Sequence, residues 1–385
     1  MSRTLLHIVA SLLLLTALLA GCRGEGEKKT VRPNSLAAVP ATRLAYGFTP
    51  DVESPLGPGP SEETRLKPVQ DDFDARRKDD RLLRTVVSPD GQRALAIYDT
   101  GETQEGEFRI DMYASDGRFL RNLTPPELSG AFAPMVAWSP DGNQIAFIGR
   151  KTLAQETPPG MLPDAGPEPL PTPPPPVDAV RVFDTEQLYA CDRDGFGLRP
   201  LTTRGGLIYF YLAWAPDGHA LAALACREDE WEARARESKQ PAGRPRLVGT
   251  DGGERLLDDR LTEAGPVWSP DSSKVAAGFE AELKIYDAAA ETPTQAALPL
   301  RDALLKASAE YDEKNLKEQQ GGGAPVSFNP IVRLLWPEDK TLFAQTAYVR
   351  VYASEPVVTF QRWHKLSLSI QATELGRLRR PARVL

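Results

Sequence analysis

Trp138-Ser139-Pro140-Asp141-Gly142-Asn143-Gln144-Ile145-Ala146-Phe147-Ile148 is the stretch that decides the fold. Asp-Gly between two apolar runs is a strong hairpin signal, because the turn needs a positive φ that Gly adopts without steric penalty. Pro140 presets the entry to the turn and cannot continue a central strand. Residues 144–148 are rich in β formers and read as the return strand. Trp138 is large and amphipathic, suited to packing between neighbouring sheets.

The stretch recurs. Ser88-Pro89-Asp90-Gly91 precedes residues 93–98, Trp214-Ala215-Pro216-Asp217-Gly218 precedes 219–224, and Trp268-Ser269-Pro270-Asp271-Ser272 precedes 274–279. A worn fifth copy is Trp336-Pro337-Glu338-Asp339-Lys340. The proline positions set a basic unit of about 45–55 residues, within the range of four-stranded propeller blades.

Several units carry a second half. Ile110-Asp111-Met112-Tyr113-Ala114-Ser115-Asp116-Gly117 runs into Leu120 and Leu123-Thr124. Gln187-Leu188-Tyr189-Ala190-Cys191-Asp192-Arg193-Asp194-Gly195 runs into Leu198 and Leu201-Thr202. Arg246-Leu247-Val248-Gly249-Thr250-Asp251-Gly252 ends in Arg260-Leu261-Thr262. Each reads as a strand, an Asp-Gly turn and a closing strand. Residues 280–330 lack this half.

This alternation of hairpins resembles the WD-repeat-like blades of TolB-type β-propellers, well over residues 80–290 and weakly over 325–370. The resemblance implies an all-β fold, a propeller of about five to six four-stranded blades with helical and Pro-rich insertions. It also implies a rigid platform whose function lies in its loops.

The first residues give an address. Arg3 forms a charged n-region, residues 5–19 are mostly apolar, and Leu19-Ala20-Gly21-Cys22 follows. An apolar run of about 15 residues is short for a spanning helix and fits a secretory signal. The last four residues resemble the lipobox of bacterial lipoproteins, which implies cleavage before Cys22 and acylation of its thiol, with palmitate as a label for the anchor. Two or more acyl chains hold a protein stably on a membrane where one does not. Arg23 follows where Asp would favour retention at the inner membrane, so the expected location is the outer membrane, facing the periplasm.

The expected organisation is a signal peptide at 1–21, a lipidated N-terminus and flexible tether at 22–80, a propeller at 81–375 and a basic tail at 376–385. An approach strand is expected near 43–48 within the tether. The propeller carries a Pro-rich insertion at 155–180 and a helical one at 300–320, where Leu300, Leu304, Ala307 and Tyr311 share a face. Residues 227–240 are charged and helix-prone.

The formal charge of −7 and the confinement of the one basic cluster to the C-terminus argue against nucleic acid as a partner. Outside the signal only His219 and His364 remain. No nucleophile elbow, Walker loop or zinc-binding helix motif is present, and Asp192-Arg193-Asp194-Gly195 lacks the later acids of a calcium loop. No metal or cofactor is expected. Cys191 and Cys226 can pair in an oxidising compartment, or sit reduced in their apolar runs. The expectation is a monomeric, non-catalytic scaffold for an envelope protein or peptide. The alternative is a propeller enzyme or sugar-binding protein acting on envelope polysaccharide or peptide.

Overall fold

The computed structural model describes residues 35–56, 65–101, 106–151, 185–315, 326–351 and 358–371. Cys22 and the lipobox, the Pro-rich insertion and the basic tail lie outside the described residues. What is described is mostly β, in antiparallel sheets.

The strands form antiparallel sheets of nine, four, four and five strands, in which five successive groups of four can be followed along the described chain, after β1 (Leu44–Val52) and α1 (Lys67–Arg76). The first comprises β2 (Arg81–Val87), β3 (Arg93–Asp99), β4 (Glu107–Ala114) and β5 (Phe119–Asn122). β6 (Leu128–Ala131) then pairs with β4 and with β8 of the second unit. That unit is β7 (Ala137–Trp138), β8 (Gln144–Lys151), β9 (Gln187–Asp192) and β10 (Arg199–Pro200). The third holds β11 (Leu207–Trp214), β12 (Ala220–Arg227), β13 (Arg244–Gly249) and β14 (Glu254–Leu256), with α2 (Glu228–Arg236) between its middle strands. The fourth is β15 (Val267–Trp268), β16 (Lys274–Phe279), β17 (Glu282–Asp287) and β18 (Gln295–Pro299). After α3 (Arg301–Asn315) and β19 (Val326–Phe328), the fifth comprises β20 (Ile331–Glu338), β21 (Thr341–Val351) and β22 (Val358–Ile370), completed by β1.

The Ser-Pro-Asp-Gly hairpins are self-contained devices. Ser139 Oγ donates to Asp141 Oδ1 at 2.6 Å and accepts from Gln144 N at 2.9 Å. Asp141 Oδ1 also accepts from Asn143 N, closing an Asx turn. Ser88 and Ser269 repeat the geometry. Gly142 takes φ 70°, as Gly91 and Gly218 take 69° and 74°, and Ser272 adopts 61° in the fourth copy.

Adjacent units are joined by a ladder of indole hydrogen bonds. Trp138 Nε1 donates to Val86 O at 3.1 Å, Trp214 Nε1 to Ala137 O at 3.3 Å, and Trp268 Nε1 to Ala213 O at 3.0 Å. Each acceptor immediately precedes the residue at the Trp position in the preceding unit, so the innermost strands keep a constant offset. The ladder ends at both sides. Val87 replaces Trp in the first unit and is 44% exposed, while Trp336 Nε1 bonds within its own hairpin, to Asp339 O.

Within the stretch 22–80 a strand forms where the approach strand is expected near 43–48. β1 pairs with β22 from Leu44↔Ile370 to Val52↔Trp363. Leu36, Val39, Ala41 and Leu44 are buried with Leu283, Leu298, Leu304, Leu334 and Trp336, at the joint of the fourth and fifth units. α1 buries Val69 and Phe73 against Tyr98 and Tyr113 of the first unit. These apolar residues are few and spaced among Pro, Ala and charged residues, so no period marks them in the sequence. The fourth unit is likewise complete: β17 and β18 supply the half missing from the repeat pattern, joined by a turn without Asp-Gly. Leu300, just before α3, and Leu304 and Ala307 within it are buried.

Candidate functional site

In an antiparallel four-strand meander the first and third turns lie at one end and the middle turn at the other. The tight hairpins of neighbouring units meet at their shared end. Arg193 Nη2 reaches Asp90 Oδ2 at 2.7 Å, Arg93 bonds Asp194, and Asp217 N donates to Ser272 Oγ at 3.0 Å. The opposite end carries α2, between β12 and β13.

α2 is pinned across that end. Arg227 N donates to Glu230 Oε2 at 2.9 Å at its first turn. Glu230 in turn holds Arg244 through two bonds of 2.7 and 2.8 Å, and Arg234 pairs with Glu263. Trp231 projects from this helix onto Phe210 of its own unit, centroids 5.6 Å apart, and edge-on to Phe132 from the β6–β7 connection at 5.7 Å. Phe132 holds φ at 60°, unusual for a bulky residue. Gly243 makes room for this aromatic group, since a Cβ there would lie 2.8 Å from the Phe210 ring.

Beneath Trp231 lies a cavity of about 500 Å³. It is lined by Arg81, Leu83, Asp99 and Glu107 of the first unit, Ala131, Phe132, Ala133, Arg150 and Glu186 around the second, and Trp231 of the third. A wider groove of about 750 Å³ runs beside α1, walled by exposed charged residues of that helix and the β4–β5 turn. The cavity under Trp231 fits a ligand site better, because it combines apolar and aromatic walls with a few converging polar groups. Arg81 Nη2 lies 3.1 Å from Asp99 Oδ2, and Arg150 Nη1 lies 3.8 Å from Glu186 Oε1. Burial raises the Glu186 carboxyl above its ordinary range; Arg150 opposes the shift, while Glu107 and Glu228 add to it. Among the described residues the lining has no hydroxyl, thiol, imidazole or amine. Its chemistry is that of carboxylates, guanidinium groups and ring faces.

The two histidines sit in different settings. His219 N donates to Asp217 Oδ1 in a hairpin turn. His364 is buried with Thr346 and beside Asp51, a set resembling a nucleophile, base and acid. Asp51 N donates to His364 Nδ1 at 3.4 Å, which leaves the ring proton on Nε2, pointing to Thr346 Oγ1 at 2.8 Å. A ring donating to the threonine cannot remove its proton. Burial, reinforced by Arg362, lowers the His364 pKa to about 4. The Asp51 carboxylate is held instead by Arg362, through two bonds of 2.6 Å.

Cys191 and Cys226 are both free and buried, so the possible disulfide is not formed. They lie in separate sheets, on β9 and β12, and burial pushes both thiols up to about 12. Asp192 Oδ1 is occupied by the amides of Asp194 and Phe196. Among the described residues no group of three His, Cys, Asp or Glu is arranged to hold a metal ion. The repeat-turn residues Pro89, Asp90, Gly91, Pro140, Asp141, Gly142, Pro216, Asp217, Gly218, Pro270 and Asp271 gather at the hairpin end, away from the cavity. Trp231 and Phe132 carry no sequence motif. The one available signal was a lone aromatic residue inside a charged, helix-prone run.

No family model and no curated protein matches the chain. Among solved structures it is similar to an oligogalacturonate lyase in complex with manganese, at 12% identity and a TM-score of 0.37, covering 74% of this chain and 65% of the lyase. A TolB structure from Agrobacterium tumefaciens is 15% identical, with a TM-score of 0.31, over 75% of this chain and 76% of that one. A nidogen/laminin complex is 11% identical, with a TM-score of 0.34, over 74% and 84%. The chain thus spans about two thirds of the lyase.

Proposed function

We propose that this protein is a lipid-anchored scaffold of the bacterial cell envelope: a five-bladed, TolB-type β-propeller that binds a protein or peptide at its insertion end without catalysis. Five successive four-stranded units support the blade number, and the pairing of β1 with β22 supports a last blade shared by the two ends of the chain. Cys22, at the end of Leu19-Ala20-Gly21-Cys22, supplies the anchor to the outer membrane, on its periplasmic face.

One observation carries the binding role. Trp231, on an insertion of one unit, reaches Phe132 of its neighbour and walls a cavity lined by residues of three units. A second reading, cleavage of an envelope polysaccharide or peptide, draws on the raised Glu186 carboxyl near Glu107. Carboxylate pairs of that kind serve as acid and base in glycoside hydrolysis.

The test uses photo-crosslinking in intact cells, with p-benzoylphenylalanine in place of Trp231 or of Asp217 at the hairpin end. The expected result is one stoichiometric protein adduct from position 231 and none from 217. Absence of an adduct at 231, together with envelope-glycan or peptide hydrolysis that Glu186→Gln abolishes, would replace the scaffold with an enzyme.

A further inference from the structure

We infer that a second cavity, at the hairpin end between the third and fourth units, binds a small monocarboxylate with an apolar stem. It is independent of the cavity under Trp231.

Small residues make this cavity, at positions where other units place long ones. Arg93, Gln144, Ala220 and Lys274 share one place in their hairpins, each accepting a backbone hydrogen bond from the residue that opens the turn. On the next strand Asp192, Gly249 and Asp287 stand opposite the last three. Between the first and second units the space is filled. Arg93 Nε donates to Arg193 O at 3.1 Å and its guanidinium pairs with Asp194, while Arg193 reaches back to Asp90. Between the third and fourth units the same places hold Ala220, Ala288 and Ala289, with Gly249 opposite Ala220. A cavity of about 420 Å³ occupies the space that results, walled also by Ala215, Leu247 and Trp268.

Arg255, on the same lining, supplies the chemistry. Its Nη2 donates to Asp287 O at 2.6 Å and to Ala288 O at 2.9 Å, and among the described residues its Nε and Nη1 donors take no partner. Burial lowers the guanidinium pKa against the field of Asp287. The Asp287 carboxylate is itself committed to Lys274, Thr294 and Ala41 N. Glu254, also on the wall, is held by Arg204, Arg246 and Tyr209. An entering carboxylate would make the charge-assisted hydrogen bonds that the half-buried Arg255 lacks. A cation would oppose its charge and leave its donors unfilled. The exposed Asp217 carboxylate on the lining adds a repulsion that a dianion feels twice as strongly as a monoanion. The indole of Trp268 with Leu247, Ala215 and Ala288 suits an apolar stem.

The test titrates the full-length chain, in nonionic detergent, with 4-methylpentanoate, 4-methylpentylamine, succinate and inorganic phosphate, followed by ligand-observed NMR. The monocarboxylate should bind at least about tenfold more tightly than each of the other three. Ala220→Gln places there the side chain that Gln144 holds in the second unit. It should fill the cavity and weaken monocarboxylate binding at least about tenfold while the chain stays folded. Where that variant does not fold, Ala289→Gln fills the cavity from the turn instead. Arg255→Gln should bring the monocarboxylate and the amine to equal affinity, and Gln144→Ala should leave binding as it was. Equal binding of the four probes, or tighter binding of the amine or a dianion, would overturn the inference. So would monocarboxylate binding that survives the filled cavity in a folded variant, or none at about 10 mM.

Discussion

Lys274 Nζ lies 2.7 Å from Asp287 Oδ1, and both side chains are buried in the fourth unit. The pair occupies the register that Gln144 and Asp192 hold in the second unit. In the fourth unit it faces the N-terminal segment. The Lys274 ammonium donates to Val39 O at 2.9 Å, while the Asp287 carboxylate accepts from Ala41 N at 3.1 and 3.2 Å and from Thr294. The clasp therefore fixes the chain just before it enters β1, the strand that completes the fifth unit.

Lys274→Met should destabilise the fold by about 3–5 kcal/mol, because it leaves a buried carboxylate without its cation. The expected signs are a lower urea midpoint and first proteolytic cuts within residues 35–52. Burial raises the Asp287 carboxyl, but Lys274 and Thr294 outweigh it and bring the net pKa below the usual range. Its contribution is thus complete at neutral pH and is lost as pH falls below about 4. An unchanged midpoint at pH 7 in the variant would rule the clasp out.

His364 makes stability depend on pH in a different window. Its pKa is about 4 in the folded chain against about 6.5 unfolded, so between these values the unfolded chain binds the extra proton. Stability should fall as pH drops, by about 1.4 kcal/mol from pH 7.5 to 5.5 from this group alone. His364→Gln should flatten that part of the profile in chemical denaturation. An equal slope in the variant would show that other groups cause it.

Ser139→Ala should cost about 1–2 kcal/mol, since Gln144 N loses its buried acceptor and Asp141 loses a donor. Ala215, the natural occupant of that position in the third unit, shows that the turn forms without the hydroxyl. Thermal melts of the variant should therefore show a folded, less stable protein; a melting temperature equal to that of the parent would make the hydroxyl dispensable.

Tyr113→Phe should be neutral or stabilising. The Tyr113 hydroxyl is buried and without a hydrogen-bond partner, so removing it exposes no unpaired group and relieves a desolvation cost of about 1 kcal/mol or more. A loss of stability on calorimetric unfolding would mean that the hydroxyl makes a contact after all.

Cys22→Ser should abolish incorporation of radiolabelled palmitate and release a folded protein from membranes. Label that persists in the variant would place the anchor elsewhere, or deny it.

The mostly-β character and the rhythm of the sheets were legible because hairpin chemistry is local. Ser139, Asp141 and Gly142 make their turn within five residues, and the same groups recur in step. The missing half of the fourth unit was not legible, because its turn after Asp287 has no Asp-Gly and the carboxylate is held by Lys274, thirteen positions away. The candidate site was less legible still. Trp231 and Glu186 have no motif, and only the packing of α2 across two units turns them into the wall of one cavity.

From the sequence alone came the hairpins, the unit length, the Trp positions and the expectation of an anchor at Cys22, all encoded in residues that act on near neighbours. Tertiary structure decided which strand β1 pairs with and where residues 36–44 pack, that Cys191 and Cys226 stay apart, and which side chains face one another under Trp231. Those outcomes depend on contacts between residues far apart in the chain, which appear only once the sheets have set their spacing.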